Sequence, residues 1–388
     1  MLHTFHKLSI AAALCVAAIT PITAQGIRFE TSDFTQTLEK AKTENKLVFI
    51  DCYTTWCGPC KQLAKKVFPD KSAGDFFNEH YVSLKMDVER EGKKVGRKYK
   101  VSAMPTLLFI DPHTQEVLNR VVGYVEPTKL IEEGKKALNP HLNLKGCSLR
   151  YQTDKQNTEA AMTYLNSLKA ASLISQRDSI LQEYLSLQPD EQRHSEKNWQ
   201  LLSAHTDNVY TPAFDYLYKE SAAFEQTVGK EAVNQKMSTL YQQAIFRFIR
   251  RKRIPEQEFA KKDFKRLQNY VQTYNGVNSD FYKAQIAMID CVQKGDYRAM
   301  LKSLEAVDKK GGLNPQNRFY FIWLNLTYLS ESKDTKALNM GLEWADKIKP
   351  NSTDKKGYRI WLKLKANLYA AKGDTKQAHK LNEEILSL

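Results

Sequence analysis

The apolar run Leu47-Val48-Phe49-Ile50-Asp51 is followed closely by Trp56-Cys57-Gly58-Pro59-Cys60, and this pairing narrows the fold more than any other feature of the chain. The run has the length and branching of a buried strand. Pro59 suits the first turn of a helix, where its missing N–H leaves nothing unsatisfied. Leu63, Val67 and Phe68 then recur at helical spacing. The expected unit is a strand, a turn and a helix that opens on two cysteines separated by two residues. A sulfur at a helix start meets unpaired backbone N–H groups and the positive end of the helix dipole. Cys57 therefore favours its thiolate and is expected to titrate below the roughly 8.5 of a free thiol, which makes it the nucleophile. Gly58 leaves room for another chain's backbone to approach. A zinc site would need four ligands, and no second C-x-x-C or spaced His pair accompanies this one, so no metal is expected.

Residues 26–140 resemble the thioredoxin superfamily, and the resemblance extends beyond the two cysteines. Asp51 occupies the place of the family's buried carboxylate, which implies that it handles the proton of the second cysteine, Cys60. Ala103-Met104-Pro105-Thr106-Leu107 looks like the family's cis-proline segment, followed by the apolar strand Leu107-Leu108-Phe109-Ile110-Asp111. A cis X-Pro bond is uncommon, and in this family it faces the dithiol and offers backbone groups to an extended substrate. Met104 replaces the more usual branched residue there and leaves substrate preference open. Val122-Gly123-Tyr124 matches the glycine turn after the last strand, and Lys85 matches the lysine beside the buried carboxylate. The resemblance implies catalysis by Cys57, Cys60 and Asp51, substrate contact through Trp56, Gly58, Pro59, Met104, Pro105 and Gly123, and support from Lys85. It implies a redox-active Cys57–Cys60 disulfide as well.

The other cysteines offer less. Cys52 follows Asp51 directly, so on a strand it points to the opposite face, as a buried inert thiol or, alternatively, a third redox cysteine. Cys147 and Cys291 have no local partner. His3, His6 and Lys7 precede an apolar stretch at 8–19, and Pro21-Ile22-Thr23-Ala24 ends on a small residue. Residues 1–24 therefore read as a signal peptide cut after Ala24, giving a periplasmic or secreted protein. The apolar stretch is too short for a permanent membrane span. Cys15 as a lipid anchor is disfavoured because Leu14, rather than a small residue, precedes it. Cleavage would remove Cys15 and leave an odd number of cysteines, hence a free thiol or an intermolecular bond.

Export places the dithiol where disulfides form and persist. The Gly-Pro pair between the cysteines is the one found in thioredoxins, at the reducing end of the superfamily's range, so a reductase is expected. An oxidase or isomerase of the same fold remains the alternative. No G-x-G-x-x-G follows a strand, so no cofactor is expected and electrons would come from a membrane-embedded donor. Exported proteins carrying disulfides would be the substrates.

After a linker at 140–146 the strand signals vanish, and residues 141–388 read as a second, all-α domain. Amphipathic stretches at 158–170 and 180–187 are punctuated by Gln188-Pro189-Asp190, Thr211-Pro212 and Ile254-Pro255. The last hundred or so residues repeat themselves. Ile322-Trp323-Leu324-Asn325-Leu326 returns as Ile360-Trp361-Leu362-Lys363-Leu364, and Asp334-Thr335-Lys336 returns as Asp374-Thr375-Lys376, with Lys294-Gly295-Asp296 as an earlier turn and Pro315 and Pro350 closing units. This resembles tetratricopeptide-type helix-turn-helix arrays, although the period exceeds their roughly 34 residues. Trp323, Tyr328, Trp361 and Tyr369 are expected to pack between helices. The resemblance implies a concave face that holds peptides or protein segments.

Most of the net charge of +14 falls on this helical region, most densely at Arg247-Phe248-Ile249-Arg250-Arg251-Lys252-Arg253. A solvated helix end accounts for such a run. An exported protein meets little nucleic acid, so an acidic protein partner or an anionic membrane surface is the functional alternative, and no nucleic acid is expected. The fold expected is an α/β thioredoxin-like domain followed by an all-α helical-repeat domain. The rival from another class is a protein-binding helical adaptor with a thioredoxin-like platform; that rival would need neither both cysteines nor Asp51.

Overall fold

A strand as apolar as Leu47–Tyr53 is stable only with both faces covered. In the computed structural model, which describes residues 26–251, 261–311, 315–351 and 353–388, that strand is the centre of a five-stranded sheet. The strands are β1 (Phe29–Glu30), β2 (Leu47–Tyr53), β3 (Tyr81–Asp87), β4 (Thr106–Ile110) and β5 (Val117–Val122), in the order β1-β3-β2-β4-β5. β3 runs parallel to β1 and β2, whereas β4 runs antiparallel to β2 and β5. Register places Asp51 between Lys85 and Leu107, and Cys52 between Met86 and Thr106.

The helices of this part are α1 (Phe34–Thr43), α2 (Gly58–Gln62), α3 (Lys71–His80), α4 (Lys93–Lys98), α5 (Pro127–Leu138), α6 (Leu144–Thr153) and α7 (Thr158–Ala170). Alternation along the strands divides the core in two. Phe49, Leu107 and Phe109 pack with Leu63, Val67, Phe68, Phe77 and Leu130 on one face. Val48, Ile50, Cys52 and Leu108 pack with Leu38, Ala41, Val95 and Tyr99 on the other. Phe49 is fully buried, with the rings of Phe77 and Phe109 at 4.6 and 5.3 Å, and truncating such a side chain to Ala costs about 3–5 kcal/mol.

The helix after the cysteines is not uniform. α2 gives way to a π turn at Leu63–Val67, closed by the Phe68 N–H donating to the Leu63 carbonyl at 3.0 Å. The expected linker at 140–146 is shorter than its composition suggests, because Asn143 caps α6 by accepting from the Gly146 N–H at 2.8 Å. Gly146 is required there: a Cβ would lie 1.6 Å from the Pro140 carbonyl oxygen. Lys145 on α6 pairs with Glu116 just before β5 at 2.5 Å. The described residues fall into two compact units, one ending at Ile180 and the other beginning at Leu181. The change in composition near 140 marks where strands end, and α6 and α7 belong to the first unit.

The second unit is helical throughout its described residues. Helix Ser279–Gln293 pairs with Tyr297–Lys309, and Lys355–Lys372 pairs with Thr375–Leu386; Thr335–Lys347 comes after Pro315–Leu326 and a short 3-10 segment. The repeated aspartates are the N-caps. Asp296, Asp334 and Asp374 accept from the N–H groups of Ala299, Ala337 and Gln377 at 3.0, 3.2 and 3.1 Å. Tyr328 and Trp361 are buried and donate to the carbonyls of Ile249 and Ala345 at 2.8 and 2.7 Å, while Trp323 and Tyr369 are half-buried. Residues 1–24, read above as a signal peptide and including Cys15, lie outside the described residues, as do Lys252, Arg253, Ile254 and Pro255. No described helix is long and apolar enough to cross a membrane.

Candidate active site

β2 ends one turn before Cys57, and the chain reverses there through the Cys57 N–H, which donates to the Thr54 carbonyl at 3.2 Å. Cys57 is the N-cap of α2. Its sulfur accepts from the Cys60 backbone N–H at 3.2 Å, in the position that stabilises negative charge on Sγ once the sulfur is reduced. Cys57 and Cys60 are joined as a disulfide with Cα atoms 5.3 Å apart, and both are buried. Around them the surface is open. Gly58 and Pro59 are exposed, a Cβ on Gly58 would meet nothing within 4 Å, and Trp56 is 64% exposed. Trp56 is held by its Nε1–H, which donates to Glu89 Oε2 at 3.0 Å.

The Met104–Pro105 peptide bond is cis. Pro105 is buried and its carbonyl accepts from the Gly123 N–H at 2.9 Å, while Met104 is half-buried. Gly123 has φ of +93°, a conformation in which L residues are strained, so glycine is needed for the turn. Thr106, the next residue, registers with Cys52 on β2, so the loop ends at the strand that leads to the dithiol.

Asp51 lies on the same sheet face as Phe49, the face that Leu63 and Val67 cover. It is 1% exposed, and neither carboxylate oxygen accepts a hydrogen bond from the protein. Burial pushes its pKa up from 3.8 to about 6, against the pull of Lys85, whose Nζ lies 3.7 Å from Oδ2. That separation is an ion-pair contact, too long for a hydrogen bond. A carboxyl that changes charge near neutral pH can take and give back a proton under working conditions. Cys52 points the other way, fully buried, its thiol pushed up to about 12 by burial and by the neighbouring Asp51. Cys147 is buried with the Arg150 guanidinium 3.6 Å from its sulfur, and Cys291 is half-buried. Among the described residues no cluster of three or more His, Cys, Asp and Glu is arranged to hold a metal ion.

Sequence reasoning did not single out Glu89, nor Phe29 and Tyr53, whose ring centroids, with that of Phe68, lie 5.1–5.5 Å from Lys85 Nζ. Tyr53 could have been found, since it is two residues from Asp51 on one strand. Glu89 sits on a turn after β3 with no periodic signal.

A family model described as a thioredoxin-like domain matches residues 34–138. A thioredoxin of Echinococcus granulosus is 46% identical over 71 residues, which is 18% of this chain and 62% of that one. Thioredoxin H4 of Arabidopsis thaliana is 38% identical over 100 residues, covering 26% and 79%. This chain therefore spans about three fifths of the length of the first of these relatives. The solution structure of a Bacteroides thetaiotaomicron protein, proposed to be a disulphide-isomerase, is 46% identical and covers 30% of this chain and 97% of its own, with a TM-score of 0.28.

Proposed function

Since the chain belongs, through residues 34–138, to the thioredoxin-like family, we propose that it is an exported thiol-disulfide oxidoreductase that reduces disulfides in other exported proteins. The observation that carries this reading is Cys57 at the N-cap of α2, with the Cys60 N–H aimed at its sulfur. In the reduced protein the Cys57 thiolate attacks one sulfur of a substrate disulfide, forms a mixed disulfide and expels the other sulfur as a thiolate. The Cys60 thiol loses its proton to the Asp51 carboxylate and attacks Cys57 Sγ, which releases the substrate's second thiolate. The pair ends oxidised, so each cycle consumes two electrons, which a membrane-embedded donor would return to the Cys57–Cys60 disulfide.

Exposed Trp56, open Gly58 and Pro59, and the backbone beside Met104, cis Pro105 and Gly123 together suit an extended peptide laid across the dithiol. Export, to the periplasm or beyond, rests on the composition of residues 1–24. The paired helices of the second unit, with their repeated N-cap aspartates, support a tetratricopeptide-like array that selects the partner. Its positive charge favours an acidic protein or an anionic membrane surface.

The test is reduction of insulin disulfides by the full mature chain with dithiothreitol as the electron source. Cys57→Ser should abolish it, and Cys60→Ser should accumulate a mixed disulfide through Cys57. Undiminished reduction by Cys57→Ser, or trapping through Cys60 instead, would overturn the assignment. Comparing the proteins trapped by Cys60→Ser in the full chain and in a chain ending at Ile180 tests the helical unit; identical sets would remove its role in selection.

A further inference from the structure

Lys85 does more than approach Asp51. Its Nζ stands over three aromatic rings, 5.3 Å from the centroid of Phe29, 5.5 Å from Tyr53 and 5.1 Å from Phe68. The rings come from three elements: Phe29 from β1, Tyr53 from the end of β2, and Phe68 from the end of the π turn beyond the dithiol helix. They support one another, since Phe29 and Phe68 meet edge to face at 5.0 Å. Phe68 is anchored on both sides of its peptide, by its N–H to Leu63 and by the Ile27 N–H donating to its carbonyl at 2.7 Å. An ammonium ringed by aromatic faces is attracted to their negative π clouds and loses freedom to swing into solvent. Lys85 would otherwise have that freedom, because its side chain is 32% exposed at the edge of the core.

Phe68 closes the π turn at Leu63–Val67, which follows directly on the helix that carries Cys60, so the segment leading away from the dithiol also supplies a ring to Lys85.

Other titratable groups face Asp51 as well. From its own strand this is the Tyr53 phenol, while the Cys52 thiol lies next to it on the opposite face, and from β3 it is Lys85; β4 offers Leu107, which is uncharged. Lys85 is the cation among them, so its placement decides how strongly a charged Asp51 is favoured.

We propose that Phe29, Tyr53 and Phe68 form a box of positioning residues that holds the Lys85 ammonium against Asp51, and thereby governs when Asp51 carries a proton. The inference rests on the reading of Asp51 as the proton carrier for Cys60. The rings act on Asp51 only through Lys85.

The test tracks the Asp51 carboxyl by 13C NMR across pH in the oxidised full chain, with Asp51→Asn spectra as the assignment. Lys85→Met should raise the midpoint by about one unit, since an opposite charge within about 4–6 Å typically lowers a carboxyl by 1–3 units. Phe68→Leu and Tyr53→Leu should each raise it by part of that amount. In a Lys85→Met background the same two substitutions should have no effect. An unchanged midpoint with Lys85 present, or an equal shift in both backgrounds, would overturn the box. Single-turnover resolution by Cys60 is then measured in the same variants, with its pH profile expected to move with the carboxyl midpoint. If the midpoint moves and the profile does not, the box stands and the assignment of Asp51 as proton carrier fails.

Discussion

Replacing Asp51 by Asn should change how the stability of the sheet unit depends on pH. The carboxyl's ordinary value is 3.8, and burial in the folded chain pushes it up to about 6. Below 3.8 both states hold the proton. Between the two values the native state holds more protons than the unfolded state, so stability falls as pH rises; above about 6 neither holds it and the loss is complete. Each unit is worth about 1.36 kcal/mol, so the whole loss is about 3 kcal/mol, and the part between about pH 4.5 and about pH 8 is about 2 kcal/mol. Asn carries no charge and loses nothing over that range. Its buried amide finds no more partners than the carboxylate does, which adds a constant cost of about 1–3 kcal/mol. The change in the difference between parent and variant, rather than its sign at one pH, is therefore the diagnostic. Native-state hydrogen exchange of the slow β2 and β4 amides, compared between the two oxidised full chains at each pH, reads the stability of this unit alone. Parallel curves from about pH 4.5 to about pH 8 would show that Asp51 does not titrate there, and the proton-carrier assignment would lose its physical basis.

Single contacts carry further expected outcomes. Gly123→Ala meets no steric obstacle for its Cβ but must adopt φ of +93°, so urea unfolding should show a loss of about 1 kcal/mol; no loss would mean that the turn has another accessible conformation. In the reduced protein, iodoacetamide at about pH 8 should modify Cys57 and leave Cys52 untouched until the chain unfolds, because Cys52 is fully buried with its thiol pushed up to about 12. Mass spectrometry locates the label, and early modification of Cys52 would restore it as a candidate third redox cysteine. Asp374→Ala removes the cap bond to Gln377 and should weaken hydrogen-exchange protection of helix Thr375–Leu386 by about 1 kcal/mol, without altering insulin reduction.

Strand β2 and the dithiol helix could be read from sequence because their signals are local: a buried apolar run, a proline at a helix start and two cysteines at fixed spacing. The repeated aspartates were legible for the same reason, since an N-cap bonds within its own first turn. The aromatic box was not, because its rings come from β1, β2 and the end of the π turn, which sequence separates and only the sheet order and that turn unite. Helical periodicity does not report a π turn, so the position of Phe68 could not be anticipated from its spacing to Leu63. The packing boundary at Ile180 was equally hidden. α6 and α7 read like the helices of the second unit, and contacts such as Lys145 with Glu116 are not encoded in composition.

The reduction potential of the Cys57–Cys60 couple tests the proposed direction of electron flow most directly. Full-length protein is equilibrated in dithiothreitol or glutathione buffers of graded potential, quenched with acid, alkylated and weighed by mass spectrometry. A reductase is expected to lie near the roughly −270 mV of thioredoxin, reducing enough to drive electrons into substrate disulfides. A value at or above about −180 mV, in the range of isomerases and oxidants, would contradict it and assign the same site to making or rearranging disulfides.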